Sequence, residues 1–127
     1  RGDDAAIIAN GDTVCIALEA AKQLESRGIH TTVLDMHTVK PLDTEAVMDC
    51  IDRCGVIVTV EDHNVINGMG SAVASVAGQA GRGRVRIIGV QDHFGMSAPY
   101  ERLLALNGIT AENICKNVTE LVAEKKA

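Results

Sequence analysis

His37, His63 and His93, the pairs Asp62-His63 and Asp92-His93, and the glycine-bounded turn Gly68-Met69-Gly70-Ser71 are the residues of this 127-residue chain whose types and spacing bear on chemistry. Each of those histidines falls where an apolar run gives way to polar residues, so each is expected just beyond the C-terminal end of a strand, the edge where parallel sheets place ligands. A carboxylate beside an imidazole suits general acid–base work. Adjacent residues on an extended segment point apart, however, so the partner of each imidazole has to come from another loop. Solvated or interface histidines account for the same pattern without catalysis, and no nucleophile elbow or zinc-helix motif accompanies them. No catalytic residue and no metal ligand is assigned.

The candidate anion-binding turn is Gly68, Gly70 and Ser71, because glycines let backbone N–H groups approach a ligand and a helix N-terminus attracts negative charge. Val73 stands where a dinucleotide fingerprint needs a small residue, and the Lys-Ser/Thr of a Walker loop is missing. Tight packing of a helix on a sheet explains the same glycines with no ligand. Arg82, Arg84 and Arg86 are read as a charged loop protecting an edge strand. Arg1-Gly2-Asp3 matches an adhesion tripeptide, and three residues carry no specificity.

Composition narrows the function further. Lys plus Arg number 12 against 17 Asp plus Glu, a formal charge of −5, which argues against a nucleic-acid partner. Phe94 and Tyr100 are the whole aromatic inventory, with no Trp, so stacking platforms for bases or cofactor rings are lacking. Apolar residues make up 46% of the chain, and no run of them reaches membrane-spanning length, so a soluble protein with an aliphatic core and no membrane partner is expected. Cys15, Cys50, Cys54 and Cys115 form neither CxxC pairs nor zinc spacings, which suits a reducing, cytoplasmic setting. The chain has the size of one domain. It begins with Arg and carries no basic-then-apolar leader, so it is expected to be a fragment or subunit of something larger.

The elements that position these residues follow from periodicity. Asp4–Asn10 reads as a buried strand turning at Asn10-Gly11-Asp12, and Val14, Ala17, Leu18, Ala21 and Leu24 make a helical face that Asp12 or Thr13 starts and Gly28 stops. Ile29–Met36 reads as the second strand, and Asp43 caps a helix through Cys54 that Gly55 ends. The third strand is Val56–Glu61, closed by Asp62-His63-Asn64. From Asn67–Ser71 a helix runs to about Ala80, with Ala72, Val73, Val76 and Ala77 as a small-residue stripe toward the sheet. Val85–Val90 is the fourth strand, Ser97 caps a short helix over Leu103, Leu104 and Leu106, and Thr110 caps a last helix on Ile114, Val118, Leu121 and Val122. Alternating strands and helices imply a parallel sheet covered on both faces, an α/β fold.

The segments AAIIANG, DMHTVKPLD, IVTVEDHNVINGMGSAV and DHFGMSAPYERLLALNGITAENI, in this order over nearly the whole chain, resemble the C-terminal domain of transketolases. Lys40-Pro41-Leu42-Asp43 and Thr59-Val60-Glu61-Asp62-His63 leading into Gly68-Met69-Gly70-Ser71-Ala72-Val73 carry the resemblance most strongly. Similar domains occur in deoxyxylulose-phosphate synthase and in 2-oxo acid dehydrogenase β subunits, but Asp92-His93-Phe94-Gly95, Leu103-Leu104 and Gly108-Ile109-Thr110 resemble the first two more. The chain departs from the family at Asn67, where glycine is usual, at His37, commonly bulky and apolar, and at Ser97-Ala98, often Ser-Gly.

What the resemblance implies is a three-layer α/β/α sandwich, strand order 2-1-3-4, with a further antiparallel strand upstream of the first strand read here. The topological switch then falls between the first and third strands. Asn10, Gly11, Asp12, Thr13, Glu61, Asp62, His63 and Asn64 are accordingly the candidate crevice or interface residues. The resemblance also implies a parent enzyme, a homodimer, that transfers a two-carbon ketol unit between sugar phosphates. Thiamine diphosphate and Mg or Ca would be bound by thiamine-binding domains or a subunit other than this chain. Gly11-Asp12 begins like the family's metal–diphosphate motif, but Thr13 replaces its glycine and no paired asparagines follow, so no cofactor is assigned to the chain. A synthase or dehydrogenase parent, and a free-standing module that binds a phosphate or nucleotide, are the alternatives.

Overall fold

Ala5–Ala9 is a run of apolar residues with no polar alternation, and it forms β1, buried along its whole length. That is the pattern of a central parallel strand covered on both faces. In the computed structural model, which describes residues 3–11, 13–36, 43–64, 68–90 and 108–126, the chain then alternates helix and strand. The elements are α1 (Thr13–Glu25), β2 (Thr31–Asp35), α2 (Thr44–Cys54), β3 (Val56–Asn64), α3 (Met69–Ala80), β4 (Arg84–Val90) and α4 (Ala111–Lys126). The strands form one parallel sheet in the order β2-β1-β3-β4. The α/β sandwich and strand order expected from the sequence are therefore present. The short helix expected after Ser97, and the residues His37, Lys40-Pro41-Leu42, Asn67 and His93, lie outside the described residues.

Strand alternation divides the core. On one face Ala5, Ile7, Ala9, Val56, Val58 and Val60 pack against Ala17, Ala20 and Leu24 of α1 and Ile114, Val118 and Leu121 of α4. On the other, Ala6, Ile8 and Ile57 meet Val47, Cys50 and Ile51 of α2 and Met69, Val73 and Ala77 of α3. Helix ends obey local chemistry where the sequence announces it. Asp43 accepts a hydrogen bond from the Ala46 N–H at 3.1 Å, and Gly55 stops α2 in the left-handed conformation at φ 74°. Thr110 likewise accepts from the Asn113 N–H at 3.1 Å at the start of α4.

Three expectations are corrected. The third strand does not stop at Glu61: β3 continues through Asp62, His63 and Asn64, because Asn64 still pairs with Val90 after a shift of register. Backbone pairing overrides the polar composition there. The buried face of α3 is Met69, Gly70, Val73 and Ala77, so of the expected stripe Val73 and Ala77 are buried, Val76 packs partly against the core and Ala72 lies at its edge, while Met69 and Gly70 join the face. The arginines expected as a charged loop protecting an edge strand lie partly on that strand, since β4 ends the described sheet. Arg84 and Arg86 sit on β4, with Arg84 3.4 Å from Glu124, and Arg86 2.6 Å from Glu120 and 3.1 Å from Glu124, so they bind α4 to the sheet. Arg82, just past α3, pairs with Asp52 at 2.9 Å.

Candidate functional site

β1 and β3 run side by side, Ala9 opposite Val60, while their next strands and helices depart in opposite directions, so a crevice opens at their C-terminal ends. The chain leaves β1 through Asn10 and turns at Gly11, whose φ of 57° is one that a residue with a side chain rarely adopts. It enters α1 at Thr13, whose N–H reaches the Asn10 carbonyl at 3.2 Å. Thr13 is fully buried. Its hydroxyl lies 2.6 Å from the Asn10 carbonyl and 2.9 Å from the Val60 carbonyl, tying the start of α1 to both strand ends. Asn10, Gly11, Thr13 and Glu61 are thus brought together. Asp12 is outside the described residues, and Asp62, His63 and Asn64 lie on β3 itself, so His63 is part of the strand rather than beyond it.

Register and parity add a feature the sequence does not announce. Ile8 pairs with Thr59, so Asn10, Thr59 and Glu61 share the sheet face that carries Ile8 and Ile57, the face covered by α2 and α3. Thr59 and Glu61 are fully buried and Asn10 is 8% exposed. Glu61 Oε2 accepts a hydrogen bond from the Gly70 N–H at 2.5 Å, at the first turn of α3. The side-chain oxygens Asn10 Oδ1 and Thr59 Oγ1 are buried with no hydrogen-bond partner among the described residues. Thr59 was hidden in the sequence as one more residue of a β-branched run. Its polar role depends on α3 lying over it.

The turn Gly68, Gly70 and Ser71 is a helix start, as expected, and at Gly70 the tight packing of helix on sheet weighed from the sequence is what the structure displays. Gly68 is extended, at φ −89°, and Gly70 is helical, so neither uses left-handed freedom. A Cβ on Gly70 would lie 2.5 Å from Ile87 Cγ2, 2.7 Å from Thr59 Oγ1 and 3.0 Å from Glu61 Oε2. Close approach of α3 to the sheet is what that position requires. Beyond the crevice, a groove of about 710 Å³ runs along β2 between α1 and α2, past Leu18, Thr32, Leu34 and Arg53. Leu18 is 54% exposed there.

The crevice groups do not fit a metal–diphosphate site. Among the described residues the fully buried Glu61 carboxylate is engaged by a backbone N–H, the Thr13 hydroxyl is spent on carbonyls, and no group of three or more His, Cys, Asp or Glu able to hold a metal occurs. No helix among those residues is long and apolar enough to cross a membrane.

Against this geometry the comparisons with known proteins are specific. Residues 1–114 match the family described as transketolase, C-terminal domain. The chain is 41% identical to 1-deoxy-D-xylulose-5-phosphate synthase 1 of Geobacter sulfurreducens, over 100% of this chain and 20% of that protein. It is 40% identical to a 6-deoxy-6-sulfo-D-fructose transketolase subunit of a Clostridium species, over 98% of this chain and 39% of the relative. Among solved structures, a split-gene transketolase in an inactive β4 tetramer superposes with a TM-score of 0.90 at 40% identity, over 97% of this chain and 40% of that one. A transketolase from Pichia stipitis shares the fold at a TM-score of 0.69 and 21% identity, over 99% of this chain and 17% of that one. The chain therefore spans about a fifth to two-fifths of the length of these relatives. With the sheet order, the covered faces and these matches in agreement, the chain belongs to the transketolase C-terminal domain family.

Proposed function

We propose that this chain, as one domain over residues 1–127, is the supporting C-terminal part of a cytoplasmic thiamine-diphosphate enzyme that moves a two-carbon ketol unit between sugar phosphates. The cofactor and its Mg or Ca are held by thiamine-binding domains or a partner subunit, and the parent is a homodimer. Asn10, Gly11, Asp12, Thr13 and Glu61 to Asn64 form the edge that positions those neighbours. The observation that carries this reading is the inward commitment of the crevice: the Thr13 hydroxyl and the Glu61 carboxylate are bonded to the chain's own backbone. Such groups hold a shape and are not set to exchange protons with a substrate. The groove beside β2, with Leu18 at its edge, supports a surface that a larger assembly covers. A subunit name among the relatives supports the same division of labour.

Titration calorimetry on the chain with thiamine diphosphate and magnesium is expected to give no heat of binding, and micromolar binding would overturn the assignment of the cofactor to other domains. Ketol transfer is expected only when the thiamine-binding portion is added. In the assembled enzyme His63→Ala should keep substantial turnover; near-total loss in a stable dimer would place His63 in the chemistry. The Geobacter relative favours one second reading, a parent that makes 1-deoxyxylulose 5-phosphate. Assaying the reconstituted enzyme for both products separates the two. A free-standing phosphate or nucleotide module is disfavoured because the Gly70 N–H already has a carboxylate.

A further inference from the structure

We propose that the N-terminus of α3 is an anion site filled by the chain's own Glu61 carboxylate, a clasp that joins helix start, sheet and crevice rim and closes the turn to outside phosphate. A helix start leaves four N–H groups without intrahelical partners and carries partial positive charge. Among the described residues the cap of α3 is Gly68, with no side-chain hydrogen bond, and its first turn holds no acidic residue. The missing anion comes from the neighbouring strand. Glu61 is fully buried, and its Oε2 sits 2.5 Å from the Gly70 nitrogen. Burying a carboxylate is costly unless charge and hydrogen bonds compensate it, and the helix terminus supplies partial positive charge and a hydrogen bond, to Oε2.

The surroundings make the clasp exclusive. Ile87 Cγ2, Thr59 Oγ1 and Glu61 Oε2 lie 2.5, 2.7 and 3.0 Å from where a single methyl on Gly70 would stand, so a phosphate has no room between helix and sheet. The clasp also sits where the sheet changes register. Val60 pairs with Ile88 and Asn64 with Val90, so β3 uses four residue steps where β4 uses two. Such an irregularity re-aims the strand, and Glu61 is its first residue. Anchoring Glu61 to α3 therefore sets the course of Asp62, His63 and Asn64 along the crevice.

Backbone amide NMR of the chain tests this at three points. Inorganic phosphate added to the wild-type chain should leave the Gly70 and Ser71 amides unmoved; saturable shifts there would overturn the proposal. Glu61→Gln keeps the size and one acceptor oxygen but removes the charge. It should speed hydrogen exchange at the Gly70 amide about tenfold relative to amides of α4, the loss expected for a charge-assisted bond. Equal changes at both places would refute the clasp. Glu61→Ala leaves a carboxylate-sized gap, which sodium formate should refill, raising Tm saturably in the variant and not in the wild type. A folded variant indifferent to formate counts against the proposal, and if Glu61→Ala does not fold, the glutamine variant and the phosphate titration decide.

Discussion

Adding one methyl group at Gly70 tests the close approach of α3 to the sheet, and adding the same group at Gly78, two turns along the helix, is its control. In Gly70→Ala the new Cβ would stand 2.5 Å from Ile87 Cγ2, about 1 Å short of carbon–carbon contact. It would also press on Thr59 Oγ1 at 2.7 Å and Glu61 Oε2 at 3.0 Å, so at least three groups on two strands must yield together. Overpacking of this kind costs about 1–3 kcal/mol. Displacing α3 also stretches the charge-assisted Gly70–Glu61 hydrogen bond, worth about 1.5–3 kcal/mol when lost in full. Alanine's better helix propensity returns about 1 kcal/mol. The net is a loss of roughly 2–4 kcal/mol, or about 8–16 °C in Tm for a chain of this size. Gly78 has no atom within 4 Å of its added Cβ and no positive φ, so Gly78→Ala is expected to stabilise by about 0.5–1 kcal/mol. Urea denaturation followed by far-UV circular dichroism measures both. A Gly70→Ala chain as stable as wild type, or a Gly78→Ala loss of equal size, would refute the reasoning, because helix propensity alone treats the two positions alike.

Thr59→Val should leave stability unchanged or raise it by up to about 1 kcal/mol, since the buried hydroxyl has no described partner to lose; a clear loss in urea midpoint would contradict this. Asp43→Ala removes the side-chain acceptor for the Ala46 N–H and is expected to cost about 1 kcal/mol, read by thermal denaturation, with Asn at that position recovering most of it. Burial pushes the Cys54 and Cys115 thiols up from their ordinary range, so the folded chain holds those protons to higher pH than the unfolded chain. The unfolded state therefore binds fewer protons as pH climbs through the thiol range, and stability should fall there while staying flat below it; Cys54→Ala with Cys115→Ala should flatten the alkaline slope of the urea midpoint.

Much of the architecture is local and was legible. The continuous apolar run of β1, the helix α1, the Asp43 cap and the Gly55 stop each depend on neighbours a few residues away, so composition and period announce them, although Leu18, read on the buried face of α1, is exposed and Ala20 is buried instead. The resemblance carried by Lys40–Asp43 and by Thr59–His63 leading into Gly68–Val73 implied the same strand order that the sheet displays. The crevice was legible to the extent that strand order locates it: Asn10, Gly11, Thr13 and Glu61 meet there.

What tertiary structure decided involves partners far apart in the chain. Glu61 reads in sequence as a polar strand end, yet it is fully buried because the start of α3 lies over it. Arg86 reads as surface charge, and only the docking of α4 makes it a link to Glu120 and Glu124. β3 runs on through His63 because Val90 offers a partner to Asn64, which no local propensity records. Gly70 reads in sequence either as a tight helix–sheet contact or as an anion-binding turn, and it is Ile87 and Thr59, on two strands of the sheet beneath it, that make the packing demand real. A side chain's neighbours across the sheet are set by register and layer packing, and residue spacing along the chain contains neither.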